Sequence, residues 1–505
     1  MAAVDFNVQP GFDGRGFDVV IVGAGAAGLY LASLLAGRRK VLVLESGRWA
    51  VDGERQKLNE IEQTGKRMQN AVETRRRAIG GTTLAWGGQS LPFAPADFAR
   101  WPFGRGELER HYARANEAMG VDPRGYGEET FRQLGVRAPA FDPAKVWCHF
   151  SKWAPEPNFR KVFRREIERE FTVLYNAQLV DAEMRDGEVR EVEVANFRGE
   201  RRRWPCGWLV VAAGGLESNR ILLWLQERRG FLRGGTQEAL GRGFMDHPCL
   251  EAGWVETEDA YNFQKTFSTQ IRDGRKYSVR LSAPEKWMQE GGWLNVSAGF
   301  LMKGKEGKFD PYAEYRNFRS LWKHPGRIGE TVSSLAATAG ALVRDGFVYK
   351  RGLVPAFGVM CEQEALPGSR ITLGREKDRF GVPKLSLHWE ISPRTWQTVV
   401  KFCRLVKGEV ERLGYGKVNL RREIMEEIAD GRELLTDVNH HMGGTVMGID
   451  PERSVVDENL RVRGVGNFWV ASSSVFPSSS HSNPTLTLLA LVSRLSEKLM
   501  QGDRS

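Results

Sequence analysis

One short stretch near the start constrains the fold more than any other. Phe17-Asp18-Val19-Val20-Ile21-Val22 is an apolar, β-branched run that reads as a buried parallel strand, and Gly23-Ala24-Gly25-Ala26-Ala27-Gly28 follows with no spacer. Residues 29–36 continue in helical composition, and Lys40-Val41-Leu42-Val43-Leu44-Glu45 supplies a second strand. Together these make one βαβ unit. Gly23 permits the tight turn, Gly25 lets a pyrophosphate approach the backbone, and Gly28 lets helix and strand pack closely. The helix N-terminus, at Ala26 and Ala27, offers free N–H groups to negative charge. Glu45 is placed to accept hydrogen bonds from ribose hydroxyls and to repel a 2′-phosphate. A dinucleotide-binding α/β fold follows.

The chemistry-bearing residues lie at the other end of the chain. Asn439-His440-His441-Met442-Gly443 and His481-Ser482-Asn483-Pro484-Thr485-Leu486-Thr487 flank a last buried strand, Phe468-Trp469-Val470-Ala471, and a small-residue loop. Two polar pairs, His440/His441 and His481/Asn483, are expected to converge on one place. Pro484 at the first helical position, with Asn483 as N-cap, starts a helix carrying Leu486, Leu489, Val492 and Leu495. That helix points its N-terminus, Pro484 and Thr485, back at the ligand loop. A neutral imidazole is the side chain best matched to take a hydroxyl proton near pH 7. Asn483 cannot be a base, but its amide can orient a hydroxyl; a helix cap is its other reading. His441 is the alternative base, and His481 either contacts ligand or fills its loop. His247 reads as structural, and His111, His149, His324 and His388 show no partner spacing.

Between these ends a second glycine-rich loop, Gly80-Gly81-Thr82-Thr83-Leu84-Ala85-Trp86-Gly87-Gly88, offers close backbone approach to a planar or phosphorylated ligand. Trp101-Pro102 opens a helical segment. Residues 171–203 read as a hairpin or meander, and Trp208-Leu209-Val210-Val211 as a strand returning to the nucleotide-binding sheet. Composition then shifts to alternating strand-like runs with charged turns. The predicted organisation is a cofactor domain in pieces (1–100, 171–250 and 431–505), a helical substrate-domain segment (101–170), and a sheet-centred substrate domain (251–430) with a basic insertion at 311–350.

With 505 residues, 41% hydrophobic and 27% charged, the chain suits two joined domains. Its net charge of +10 is scattered apart from Arg75-Arg76-Arg77 and Arg201-Arg202-Arg203, which read as solvated loop faces, and no nucleic-acid motif accompanies them. Five widely spaced cysteines form no metal-binding or redox motif and suit a reducing compartment. No secretory signal opens the sequence, and its longest plainly apolar stretch, 331–343, is too short to cross a bilayer. A cytoplasmic protein is expected.

Along nearly its whole length the chain resembles the glucose-methanol-choline (GMC) flavoprotein oxidoreductases: in the Gly23–Gly28 fingerprint, the Gly80-Gly81 loop, Gly241-Arg242-Gly243-Phe244-Met245-Asp246-His247-Pro248, and the C-terminal signature. The form of that signature is similar to the pyranose-oxidase-like branch acting on sugars and glycosides. The resemblance implies a two-domain fold, a Rossmann-like FAD-binding domain plus a substrate domain with a large mainly antiparallel sheet. It implies FAD along the glycine loops and near Ala471. It places the catalytic histidine at His440, seven residues before Met447, and its partner at Asn483. His440 would take a hydroxyl proton while the carbon's hydride passes to flavin N5. Pyranose oxidases attach FAD through a histidine where Ala85 stands here, so non-covalent FAD is expected. The substrate would be a sugar or glycoside with a secondary hydroxyl, or else an aliphatic, aromatic or choline-like alcohol. Oxygen or a quinone-like acceptor would receive the electrons. An electron-transfer subunit docking to a partner is the rival reading, and a homo-oligomer is left open.

Overall fold

Strands buried on both faces organise the first half of the structure, a computed structural model in which residues 3–304 and 328–501 are described. The stretch 305–327, with His324 and the first part of the predicted insertion, lies outside the described residues. Val19–Val22 and Val41–Glu45 are buried at every position and pair in parallel, as expected for a sheet covered on both sides. The full sheet has six strands in the order Ala3–Asp5, Thr172–Tyr175, Val41–Glu45, Val19–Val22, Trp208–Val211, Phe468–Val470, each pair parallel.

One expected element changes place. Residues 173–175 were expected in the 171–203 meander, but Thr172–Tyr175 is instead an inner strand of this parallel sheet, where Val173 and Leu174 are fully buried. The antiparallel unit begins later, as Gln178–Arg185, Glu188–Ala195 and Arg201–Pro205. Its first turn places Asp186 and Gly187 at φ 54° and 72°, the backbone a tight hairpin requires.

The second large sheet is antiparallel. Arg275–Ser282 lies between Trp147–Trp153 and Val296–Lys303, which pairs with Val354–Cys361. Period-two alternation gives it two unlike faces. Phe150, Tyr277, Val279, Leu281, Val296 and Ala298 enter a hydrophobic core backed by the Pro393–Arg412 helix. His149, Ser151, Arg280, Ser282 and Ser297 occupy the alternate positions. Helix Pro484–Gln501 packs on Ala26–Leu35 and Glu109–Ala118 in the other core, with its first residues directed at the fingerprint loop.

The fingerprint glycines are sterically required. Gly23 has φ 107°, and a Cβ there would stand 2.6 Å from the Ala212 carbonyl oxygen. A Cβ on Gly28 would stand 1.9 Å from the Gly23 carbonyl oxygen, where only backbone could yield. Gly28→Ala is therefore expected to lower stability by about 1–3 kcal/mol, through overpacking. Urea unfolding checks this, and a midpoint equal to that of the parent chain would contradict it.

Candidate active site

Two glycine loops build the wall of a large cavity. Gly80 N–H donates to the Ala24 carbonyl at 2.8 Å, and a Cβ on Gly81 would lie 2.9 Å from Gly25 Cα, so the second loop packs directly onto the first. Gly25 itself faces open space. Gly23, Gly25, Ala26, Ala27, Gly81, Thr82, Thr83 and Trp86 line this cavity, together with Glu45, Ala471, Pro484 and Thr485. Glu45 is buried; its carboxylate accepts Ala24 N–H at 3.0 Å and Gly47 N–H at 2.7 Å, leaving lone pairs for hydroxyls, and burial raises its pKa. Backbone approach at Gly25, two helix N-termini and a buried terminal acid fit an FAD. Gly28, Gly80, Ala85, Gly87 and Gly88 stand off the lining. A Cβ on Gly87 would meet the Trp153 ring at 2.5 Å and one on Gly88 would meet Pro157 at 2.9 Å, so this pair serves packing.

The arginine run corrects the expectation of a solvated face. Arg77 is buried and ion-paired to Glu217 at 2.7 Å, and Glu217 also holds Arg220 at 3.2 Å. Arg75 and Arg76 line the cavity, and burial lowers the Arg75 guanidinium to about 9. A cation stretch reads alike in sequence whether it meets water or a diphosphate. Arg201 and Arg203 are exposed, both bonding Glu193.

His440 and His441 border the same cavity, beside the strand-end loop at Ser472 and Ser473. The tautomer of His440 follows from its partners. His247 Nε2 lies 2.9 Å from the Ser479 carbonyl oxygen, which can only accept, so His247 carries its proton on Nε2. Burial lowers the pKa of His247 to about 4 and holds that of His440 well below the usual value, so both rings are neutral at pH 7. His247 Nδ1 is then an acceptor, and the 3.0 Å contact to His440 Nδ1 must be donated by His440. His440 Nε2 is left with a bare lone pair and no hydrogen-bond partner among the described residues. Asp246, fully buried, accepts the N–H groups of His247, Val438 and His440 through Oδ1 and fixes this corner. His441 differs: its Nε2 and Asp246 Oδ2 are buried, unbonded and 4.0 Å apart.

His481 and Asn483 line a second, smaller cavity, with Gln89, His149, Ser151, Arg280 and Ser297 from the polar sheet face. Here too a carbonyl sets the direction: His149 Nδ1 donates to Phe150 O at 2.9 Å, its Nε2 accepts Ser282 Oγ–H at 2.8 Å, and Ser282 accepts from His481 Nε2 at 3.1 Å. The two expected pairs are therefore not hydrogen-bonded to each other; His440/His441 and His481/Asn483 border two separate cavities, one lined by Pro484 and the other by the preceding residue, Asn483. Sequence reasoning missed His247 and His149 as partners. The only local signal for His247 was its glycine-rich loop, and none marked His149. Among the described residues no cluster of His, Cys, Asp or Glu could hold a metal ion, and no helix is long and apolar enough to cross a membrane.

Comparison with known proteins agrees with this architecture. The GMC oxidoreductase C-terminal family model matches residues 366–491. The chain is 22% identical over 480 residues to the fructose dehydrogenase large subunit of Gluconobacter japonicus, covering 84% of this chain and 80% of that one. It is 27% identical over 456 residues to a C-glycoside 3-oxidase of Arthrobacter globiformis, covering 84% and 74%. Pyridoxine 4-oxidase from Mesorbium loti superposes with a TM-score of 0.58 at 14% identity over 96% of this chain and 99% of that one. An FAD-dependent oxidoreductase from Chaetomium thermophilum gives a TM-score of 0.59 at 15% identity over 97% and 100%. These folds share the two-domain, mixed α/β plan.

Glu217 anchors two buried guanidiniums beside the cavity; burial alone would raise its pKa, but Arg77 and Arg220 hold it below the usual carboxylate range. Glu217→Gln is expected to destabilise the protein by about 3–5 kcal/mol, because it leaves the buried Arg77 without a carboxylate and Arg220 with Asp378 alone. Equilibrium unfolding measures this, and a loss under about 1 kcal/mol would contradict the pairing.

Proposed function

We propose that the chain, which the GMC oxidoreductase family model matches over residues 366–491, is an FAD-dependent oxidoreductase acting on CH–OH groups that oxidises a secondary hydroxyl of a sugar or glycoside, with FAD held non-covalently between the glycine loops. The observation that carries this reading is the directed chain from Ser479 through His247 to His440, which leaves a lone pair at the cavity. Relatives named for fructose and C-glycosides support the substrate class. Ala85, which can form no flavin bond, supports the non-covalent site.

FAD, when bound, supplies the two-electron acceptor for the hydrogen leaving the carbon. His440 Nε2 takes the hydroxyl proton. The imidazolium so formed keeps its Nδ1–H on His247, so no ring flips and no hydrogen bond is lost during transfer. Asn483, in the second cavity, orients the hydroxyl. The substrate carbon loses two electrons and becomes a carbonyl. Oxygen or a quinone-like acceptor takes the electrons; the name "large subunit" of one relative supports a partner subunit as another exit. Five free cysteines support a reducing compartment, which we take to be the cytoplasm.

His440→Ala is expected to slow anaerobic flavin reduction by about 10²–10⁴-fold, the usual worth of a positioned base. Near-normal rates would move the base to His441 or His481. The pH profile is a separate check. A depressed pKa keeps His440 neutral, hence basic, down through 6.5, so the reduction rate should stay flat from pH 8 to 6.5 and fall only below. An acid limb centred above 6.5 would contradict the assignment.

A further inference from the structure

The second cavity holds a cation that the proposed reaction does not use. Arg280 lies mid-strand on the polar sheet face, opposite His149, with its guanidinium half-buried at the cavity. Its one side-chain hydrogen bond among the described residues is a long one, 3.5 Å, to the neutral Gln89 Oε1, and among the same residues no carboxylate stands within ion-pair reach. The other side chains used at this cavity, His149, His481, Ser151, Ser297 and Asn483, are neutral, with burial holding the two rings at about 4 and about 3. Burial, with no acid to oppose it, pulls the Arg280 pKa down.

Buried arginines elsewhere are handled differently. Arg77 and Arg220 share Glu217, and Arg220 also bonds Asp378 at 2.5 Å. Arg75 lacks a carboxylate and lines the cavity that suits a diphosphate. Arg280 lacks one and lines the other cavity. The sheet also makes room for it: a Cβ on Gly299, across the strands, would come within 2.5 Å of Arg280 Nη1. A guanidinium is a planar fork matched to a carboxylate, and an unpaired one in a half-dry site is a strong recognition element.

We propose that the substrate is an acidic sugar or glycoside, whose carboxylate is bound by Arg280 in the second cavity. This rests on the sugar-oxidation reading and narrows it. The carboxylate is seated on the sheet face while Asn483, the residue before Pro484 of the first cavity's lining, guides the neighbouring hydroxyl toward that cavity. The net charge of +10 favours the approach of such an anion.

The test uses the yellow holoenzyme, titrated anaerobically with glucuronate, galacturonate and methyl glucuronide, each beside its neutral parent sugar. Flavin absorbance shift reads binding and bleaching reads turnover. At least one acid is expected to bind at least ~10-fold more tightly than its neutral parent. Arg280→Met should bring that pair within ~2-fold, and Arg280→Lys should restore part of the gap; both variants must retain the flavin spectrum. Neutral sugars that match or exceed their acids, or a preference that survives Arg280→Met, overturn the inference while leaving sugar oxidation standing. Silence toward every sugar, with bleaching by simple alcohols, overturns both.

Discussion

A carbonyl oxygen can accept a hydrogen bond and never donate one, and the active site takes its direction from that asymmetry at Ser479. Once the Ser479 carbonyl claims the Nε2 proton of His247, each later proton in the chain has one place to be, ending with a bare Nε2 on His440. The serine loop must itself be immobile for this to hold. Ser478 Oγ donates to Asp97 O at 2.6 Å, Ser480 Oγ donates to Asp97 Oδ2 at 2.7 Å, and Ser479 Oγ accepts from Gln363 N at 2.9 Å. Small hydroxyl side chains suit such a loop, because they satisfy one another and the backbone without demanding space. Gln363 extends the network: its side-chain oxygen accepts from Asp246 N and Trp389 Nε1, and its amide donates to Phe244 O and Glu390 O. All this is buried, where a half-satisfied network would be costly.

The two sheets contribute in different ways. The parallel sheet, hydrophobic on both faces, can offer ligands only its strand ends, and the glycine loops and the start of helix Pro484–Gln501 gather there. The antiparallel sheet has a face to spare. By alternation it buries one set of side chains in its core and presents the other, with His149, Arg280 and Ser297, to the second cavity. In the proposed reading, cofactor binding rests on backbone geometry, and substrate recognition on side chains that can change without disturbing the core.

The βαβ unit was legible because all its determinants are local: a β-branched run, glycines at fixed spacing, a terminal acid. The C-terminal helix start at Pro484 was legible for the same reason. Thr172–Tyr175 was misplaced because a strand followed by turn residues looks like half a hairpin, and only its burial among parallel neighbours distinguishes it. The arginine run was misread because Glu217, which fixes Arg77, comes from a distant helix. The histidine partners are the clearest limit. His247 and His440 are 193 residues apart and Ser282 and His481 are 199 apart, so no spacing rule could join them. Sequence showed which residues could do the chemistry; folding decided their partners.

The central claim is the protonation pattern of two rings, and ¹⁵N NMR of histidine-labelled protein, with His440→Gln and His247→Gln samples for assignment, observes it directly. At pH 7 the account predicts two neutral rings of opposite tautomer, His247 with its proton on Nε2 and His440 with its proton on Nδ1. A His440 ring that is cationic, or that carries its proton on Nε2, would contradict it.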